Sequence, residues 1–261
     1  MKKRVISVII LVALMAAFVF LSETTRVLFF GIAGILCAYE YIKRFREKGI
    51  NITAWLLYAY LAIQIALAIT NCGRTAYIAW YIVSVYLALF SGIVHKDVSG
   101  KGAIYTLSAL AYPCFPFALM MIISTSSRVW ETLALSCLPV WAWDAFALFG
   151  GMWWGKHKVA PDVSPNKTIE GCITGSAASV IVGFLISIFY KSIPWYVCII
   201  TAFISSTAGQ IGDLAESLIK RYLDIKDFSN LIPGHGGMLD RADSLMFAIP
   251  TAYFCLYIFG L

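Results

Sequence analysis

Nine stretches of this chain have about the length of a bilayer crossing and carry almost no charge: residues 5–21, 27–42, 52–69, 76–94, 103–123, 133–151, 172–190, 195–211 and 244–261. A hydrocarbon core of about 30 Å takes roughly 20 apolar residues as a helix. In lipid every backbone N–H and C=O must be paired within the segment, which leaves helices or closed barrels. Runs this long and uninterrupted are helical, not alternating. The expected fold class is therefore all-α: a polytopic integral membrane protein with about nine transmembrane helices. Composition excludes the rivals. Hydrophobic residues make up 61% of the chain and charged residues 13%, against about 25% charged in a soluble domain. Disorder requires the opposite balance. Pro113 and Pro116 in the fifth stretch predict a kink or break there.

Charge fixes an expected orientation. Sixteen of the twenty Lys and Arg residues fall on one alternating set of loops that begins with Lys2, Lys3 and Arg4. The other set holds only Arg26, Arg74, Arg128 and Lys191. Basic residues gather on the cytoplasmic side, so the N-terminus is expected inside and the C-terminus outside. The net charge of +6 is a topological signal and not a nucleic-acid footprint. The first stretch follows basic residues as a signal peptide would, but no small-residue cleavage site follows at 22–26, so a retained helix is expected. Seven cysteines are scattered through apolar runs without a Cys-x-x-Cys pair. They read as small hydrophobes, neither a disulfide framework nor a zinc site.

The two halves differ. Residues 1–130 are nearly pure span and short loop and read as N-terminal membrane helices. Residues 131–261 read as a catalytic membrane domain, because their inside loops are long and rich in His, Asp, Lys, Ser and Gly. Acids within spans are costly and usually functional. Asp144 lies in the sixth stretch, and Asp213 and Glu216 lie where the eighth turns polar. Asp240 and Asp243 open the ninth. Asp213, Ser217 and Lys220 share a helix face at i, i+4, i+7, and so do Asp240 and Asp243 at i, i+3. Between them run Lys226, Asp227 and Pro233-Gly234-His235-Gly236-Gly237. Carboxylates beside basic residues suit Mg²⁺ holding a phosphate. Glycine N–H groups can approach phosphate oxygens closely. The simpler reading of such acids is pairing with Lys or Arg between helices, and Glu40, near Lys43 and Arg44, is read that way. The segment 155–171 offers Lys, Ser and Thr donors to phosphate, or else it is a solvated basic loop that only sets topology.

The run from Ser217 through Lys220-Arg221, Lys226-Asp227 and Pro233-Gly234-His235-Gly236-Gly237 to Asp240-Arg241-Ala242-Asp243 closely resembles the signature of phosphatidate cytidylyltransferases, also called CDP-diacylglycerol synthases. Its positions hold register over 27 residues, and Gly212-Asp213-Leu214 fits just upstream. Asp144, Gly155-Lys156-His157-Lys158, Pro161, Ser164-Pro165, Lys167-Thr168 and Glu170-Gly171 also fall at family spacing. The resemblance covers roughly the last 120 residues. Ala242, and Ala145, Phe146 and Leu148 after Asp144, depart from the family's usual residues at points of local packing. The resemblance implies that CTP and phosphatidic acid give CDP-diacylglycerol and pyrophosphate with Mg²⁺, and the number of acids leaves room for a second cation. It implies metal roles for Asp213 and Asp240, with Asp243 and Asp144 as further candidates, and catalytic roles for Asp213, Asp240, Lys220 and Arg241. Ser164, Lys167, Thr168, Glu170, Ser217, Arg221, Lys226, Asp227, His235, Gly236 and Gly237 would bind substrate. Expected partners are CTP, phosphatidic acid and membrane lipids, with homodimerisation left open and no nucleic acid. The expected location is a bacterial-type inner (plasma) membrane, with the site facing the cytoplasm.

Three other functions compete. A CTP-dependent lipid or polyprenol kinase would transfer the γ-phosphoryl group, but the complete signature favours the cytidylyltransferase. An ion-coupled transporter would show related halves with interrupted helices in both, and no internal repeat is present. A CDP-alcohol phosphotransferase would need an Asp-Gly-x2-Ala-Arg pattern, which the chain lacks.

Overall fold

The computed structural model describes residues 20–94, 98–231 and 236–261. In order the elements are α1 (Glu23–Glu47), α2 (Ala54–Ile69), α3 (Gly73–Val94), α4 (Gly100–Ala109), a π-helical turn at Leu110–Cys114, α5 (Phe115–Ser124), α6 (Val129–Trp154), β1 (Lys158–Ala160), β2 (Ser164–Thr168), α7 (Ile169–Phe189), α8 (Trp195–Leu223) and α9 (Leu239–Ile258). Every predicted apolar stretch within these residues falls on a helix; the stretch at 5–21 lies outside them. Six helical segments are long and apolar enough to cross a membrane: Glu23–Glu47, Gly73–Val94, Gly100–Ser124, Val129–Trp154, Ile169–Phe189 and Trp195–Leu223. This is a polytopic, helical membrane protein. α2 has 16 residues, about 24 Å at roughly 1.5 Å per residue, short of a full core. α9 carries Asp240, Arg241 and Asp243 in its first turns.

The chain forms two compact units. The first comprises Met1–Ser126 and Ile225–Arg241. Its helix α1 begins with a capping box, in which Ser22 Oγ accepts from the Thr25 N–H at 3.1 Å and Thr25 Oγ1 accepts from the Ser22 N–H at 2.9 Å. Its last turn carries Arg44 and Arg46, cations that suit the negative end of the helix. Gly31 and Gly34 let α1 approach its neighbours. A Cβ on Gly31 would lie 2.6 Å from Ile65 of α2, and one on Gly34 would lie 2.9 Å from Phe117 of α5. Small residues are how membrane helices pack closely without a hydrophobic driving force between them. Between α4 and α5 the helix breaks as the prolines predict, with Tyr112 at φ −149° and ψ 112°.

The second unit comprises Ser127–Asp224 and Ala242–Leu261. Here α6, α7, α8 and the body of α9 pack through small residues. Gly175 faces the Trp143 ring at 2.8 Å, Gly183 faces Ala202 at 2.7 Å, and Gly212 faces the Asp243 carbonyl oxygen at 2.5 Å, each measured from a Cβ the glycine lacks. The segment expected as a basic loop folds into an antiparallel hairpin, pairing Lys158 with Thr168 and Ala160 with Ser164. Helix α8 runs on to Leu223, well past the end of its apolar stretch at residue 211. Its final turns therefore carry polar side chains on a rigid support. All seven cysteines are free thiols.

Candidate active site

Within the second unit three acids converge. Asp213 and Glu216 stand one turn apart on α8, and Asp243 comes from α9. One carboxylate oxygen from each lies within 4.8 Å of the others. Gly212 makes this approach feasible, since any side chain there would strike the Asp243 backbone. At about 5 Å and an effective dielectric of about 20, each like-charged pair costs about 3 kcal/mol. The protein sets cations against that repulsion. Lys167, on β2, places its Nζ 2.5 Å from Asp213 Oδ2. Lys220, four residues after Glu216, places its Nζ 3.4 Å from Glu216 Oε2. Glu216 is fully buried.

A line of side chains extends from this group. Lys167 Nζ also donates to Gln210 Oε1 at 2.8 Å, and Gln210 Nε2 donates to Asp144 Oδ1 at 2.7 Å. Asp144 on α6 is thus tied through Gln210 and Lys167 to Asp213. The hairpin that delivers Lys167 is held by its own polar contacts. Thr168 caps α7 by accepting from the Gly171 N–H at 3.2 Å. Glu170 accepts from the Lys156 N–H at 3.1 Å and pairs with His157 Nδ1 at 2.7 Å. Arg221 Nε donates to the Val163 carbonyl at 3.1 Å, tying the end of α8 to the hairpin. Ser217 follows Glu216 on α8 and is partly buried. Three hard carboxylates within mutual reach, beside lysines, form a donor set that fits a divalent cation of the Mg²⁺ type.

Gly236 and Gly237 belong to the first unit. Gly236 sits at φ +82°, a left-handed conformation that glycine adopts without steric cost. The Asp240 carboxylate is buried, and its Oδ2 accepts from the Phe228 N–H at 2.9 Å and the Gly237 N–H at 2.8 Å. Lys226, Asp227 and Arg241 are exposed. His235 lies outside the described residues. Glu40 does not pair with Lys43 or Arg44 as its sequence neighbourhood suggests. Its oxygens accept from Ser229 Oγ at 2.5 Å, the Met238 N–H at 2.9 Å and the Leu239 N–H at 2.8 Å. Arg44 instead pairs with Glu47 at 2.8 Å.

Sequence reasoning left Glu216 and Gln210 without a role. The spacing held a signal for Glu216, which is i+3 from Asp213 and i−4 from Lys220. Gln210 had none, because a neutral amide one turn before an acid is ordinary in a helix.

Comparison with known proteins adds an independent line. Over 127 residues the chain is 43% identical to the phosphatidate cytidylyltransferase of Bacillus subtilis, covering 48% of this chain and 47% of that protein. Against the phosphatidate cytidylyltransferase of Staphylococcus saprophyticus it is 38% identical over 170 residues, 64% of each chain. These two alignments span less than two thirds of the relatives' lengths. A third, to the phosphatidate cytidylyltransferase of Staphylococcus haemolyticus, is 32% identical over 256 residues and covers 96% of both chains. Residues 2–259 match the cytidylyltransferase family. With a match over essentially its whole length and a relative aligned end to end, this chain belongs to the cytidylyltransferase family.

Proposed function

We infer that this chain is a phosphatidate cytidylyltransferase, transferring the cytidylyl group of CTP to phosphatidic acid to give CDP-diacylglycerol and pyrophosphate. The observation that carries the reading is the group of Asp213, Glu216 and Asp243 with Lys167 on one member and Lys220 on another. It stands in a chain of the cytidylyltransferase family. An oxygen of the lipid phosphate forms a bond to the α-phosphorus of CTP. The bond from that phosphorus to the bridging oxygen breaks, and pyrophosphate leaves with the β- and γ-phosphates. Two anions must meet, so their repulsion is the main barrier, and preorganised positive charge lowers it most directly.

Asp213, Glu216 and Asp243 would hold a divalent cation, Mg²⁺ by the hardness of the donors, supplying positive charge against the phosphates. Lys167 and Lys220 are assigned to phosphate oxygens, and Asp144 through Gln210 orients Lys167. Thr168 and Glu170 shape the hairpin that carries Lys167. The two backbone N–H groups on its carboxylate support a loop-holding role for Asp240. Ser164, Ser217, Arg221, Arg241, Lys226, Asp227, His235, Gly236 and Gly237 complete the substrate site on the strength of the motif. Charge asymmetry supports nine spans, an N-terminus inside and a site facing the cytoplasm, where CTP is found. Bacterial relatives support the inner membrane.

Position of label separates this reading from a CTP-dependent lipid kinase. CTP labelled at the α-phosphorus should pass label to the lipid fraction when phosphatidic acid is supplied, and γ-labelled CTP should not. Label entering lipid from the γ-position, with CDP as co-product, overturns it.

A further inference from the structure

We propose that Glu40 and Arg44 of α1 are positioning residues for the reaction, holding the chain on either side of the signature's glycines: Asp227 and Phe228 by their C=O groups, Met238 and Leu239 by their N–H groups. They stand four residues apart and therefore share a face of α1. Glu40 is 1% exposed, and a carboxylate so buried requires partners. It has three: Ser229 Oγ at 2.5 Å, the Met238 N–H at 2.9 Å and the Leu239 N–H at 2.8 Å. The last two open helix α9, where the helix dipole adds to the attraction for a negative charge. Arg44 supplies the complementary contacts, Nε donating to the Phe228 carbonyl at 2.5 Å and Nη2 to the Asp227 carbonyl at 3.4 Å. Between them the Tyr41 ring stacks on Phe228 at 6.4 Å. Gly237 closes the arrangement. A Cβ there would sit 2.7 Å from Glu40 Oε2 and 2.9 Å from Asp240 Oδ2, so the glycine lies between two carboxylates, one of which accepts its own N–H.

No single contact fixes the position of Gly236 and Gly237; the set does. Oε1 and Oε2 of Glu40 each face a backbone N–H. An amide in its place turns an NH₂ toward one of those donors and leaves that N–H without an acceptor. The segment then shifts although the side chain keeps its size. Misplacement of a substrate-positioning group by about 1 Å can cost about 10²-fold in rate.

The inference rests on the proposed cytidylyltransferase reading, and transfer of α-label to lipid by the wild-type enzyme tests that reading first. Given an active wild type, Glu40→Gln, Ser229→Ala and the double variant are purified in detergent. Their kcat and KM for CTP and phosphatidic acid are measured per folded molecule, alongside unfolding midpoints. Glu40→Gln is expected to lower kcat/KM by about 10²-fold while its midpoint stays near wild type. Ser229→Ala, which removes one of the three donors to Glu40, should have a smaller effect of the same kind, and the double variant should be at least as impaired as Glu40→Gln. Wild-type constants in Glu40→Gln overturn the proposal. So does a loss confined to the folded fraction, with kcat and KM per folded molecule unchanged. If Glu40→Gln does not fold, Ser229→Ala and Arg44→Lys decide in its place: wild-type kcat/KM in both overturns the proposal.

Discussion

Glu216 shows how much one carboxylate can decide. It is the buried member of the acidic group, and Lys220 lies 3.4 Å from it. Glu216→Gln keeps the volume and removes a charge. If the three acids hold the cation, the Mg²⁺ concentration for half-maximal activity should rise and turnover should fall about 10²-fold, near 2.7 kcal/mol of barrier. Asp213→Asn should behave alike. Asp240→Asn should behave differently. Its Oδ2 accepts from two backbone N–H groups, so kcat should fall without a shift in the Mg²⁺ requirement. Titration of activity against Mg²⁺ for the three variants separates the roles. An unchanged Mg²⁺ curve in both Glu216→Gln and Asp213→Asn removes the assignment of the metal to this group.

Among the elements, the β1–β2 hairpin carries the most consequence for its size. Lys167 reaches Asp213 and Gln210 only because Thr168 and Glu170 fix the return of the chain into α7. Lys167→Ala should cut kcat/KM about 10²-fold, as loss of a charge placed at a reacting phosphate does, with expression and unfolding midpoint preserved. Wild-type kinetics in that variant would make the segment a solvated topological loop after all. The sequence reading located this segment but not its form: strands of three and five residues, one with Pro165, show no alternation to read. Helices were legible because hydropathy marks them, and each apolar stretch within the described residues lies on one. Their ends were less so. α8 outruns its apolar stretch by three turns because Asp213, Glu216 and Lys220 occupy one face and leave helical bonding untouched. Glu40 was misread for a related reason. Lys43 and Arg44 are near in sequence, whereas its partners, one hydroxyl and two backbone N–H groups, lie 189 to 199 residues away, and sequence proximity carries no information about those.

For the whole molecule the distribution of basic residues makes the remaining prediction. Nine crossings put sixteen of the twenty Lys and Arg on one side. Two of the four exceptions have a structural use: Arg26 is buried and donates to the Ser124 carbonyl at 3.2 Å, at the end of α5, and Arg128 pairs with Glu131 at 3.5 Å. The count is most exposed to error at α2, whose 16 residues fall short of the roughly 20 a full crossing takes. If α2 did not cross, every later loop would change sides. Lys96, Lys101 and the lysines of the hairpin would lie outside, away from CTP and against the positive-inside tendency. A short helix can cross where the bilayer thins locally or flanking side chains reach the interface, at a fraction of a kcal/mol per Å, which is a smaller cost than reversing so many charges. A reporter active only outside the cytoplasm should therefore give signal when fused after Leu261 and stay silent when inserted at Gly49. An expressed but silent Leu261 fusion would mean an even number of crossings. The segment to reconsider would then be α2, or residues 5–21.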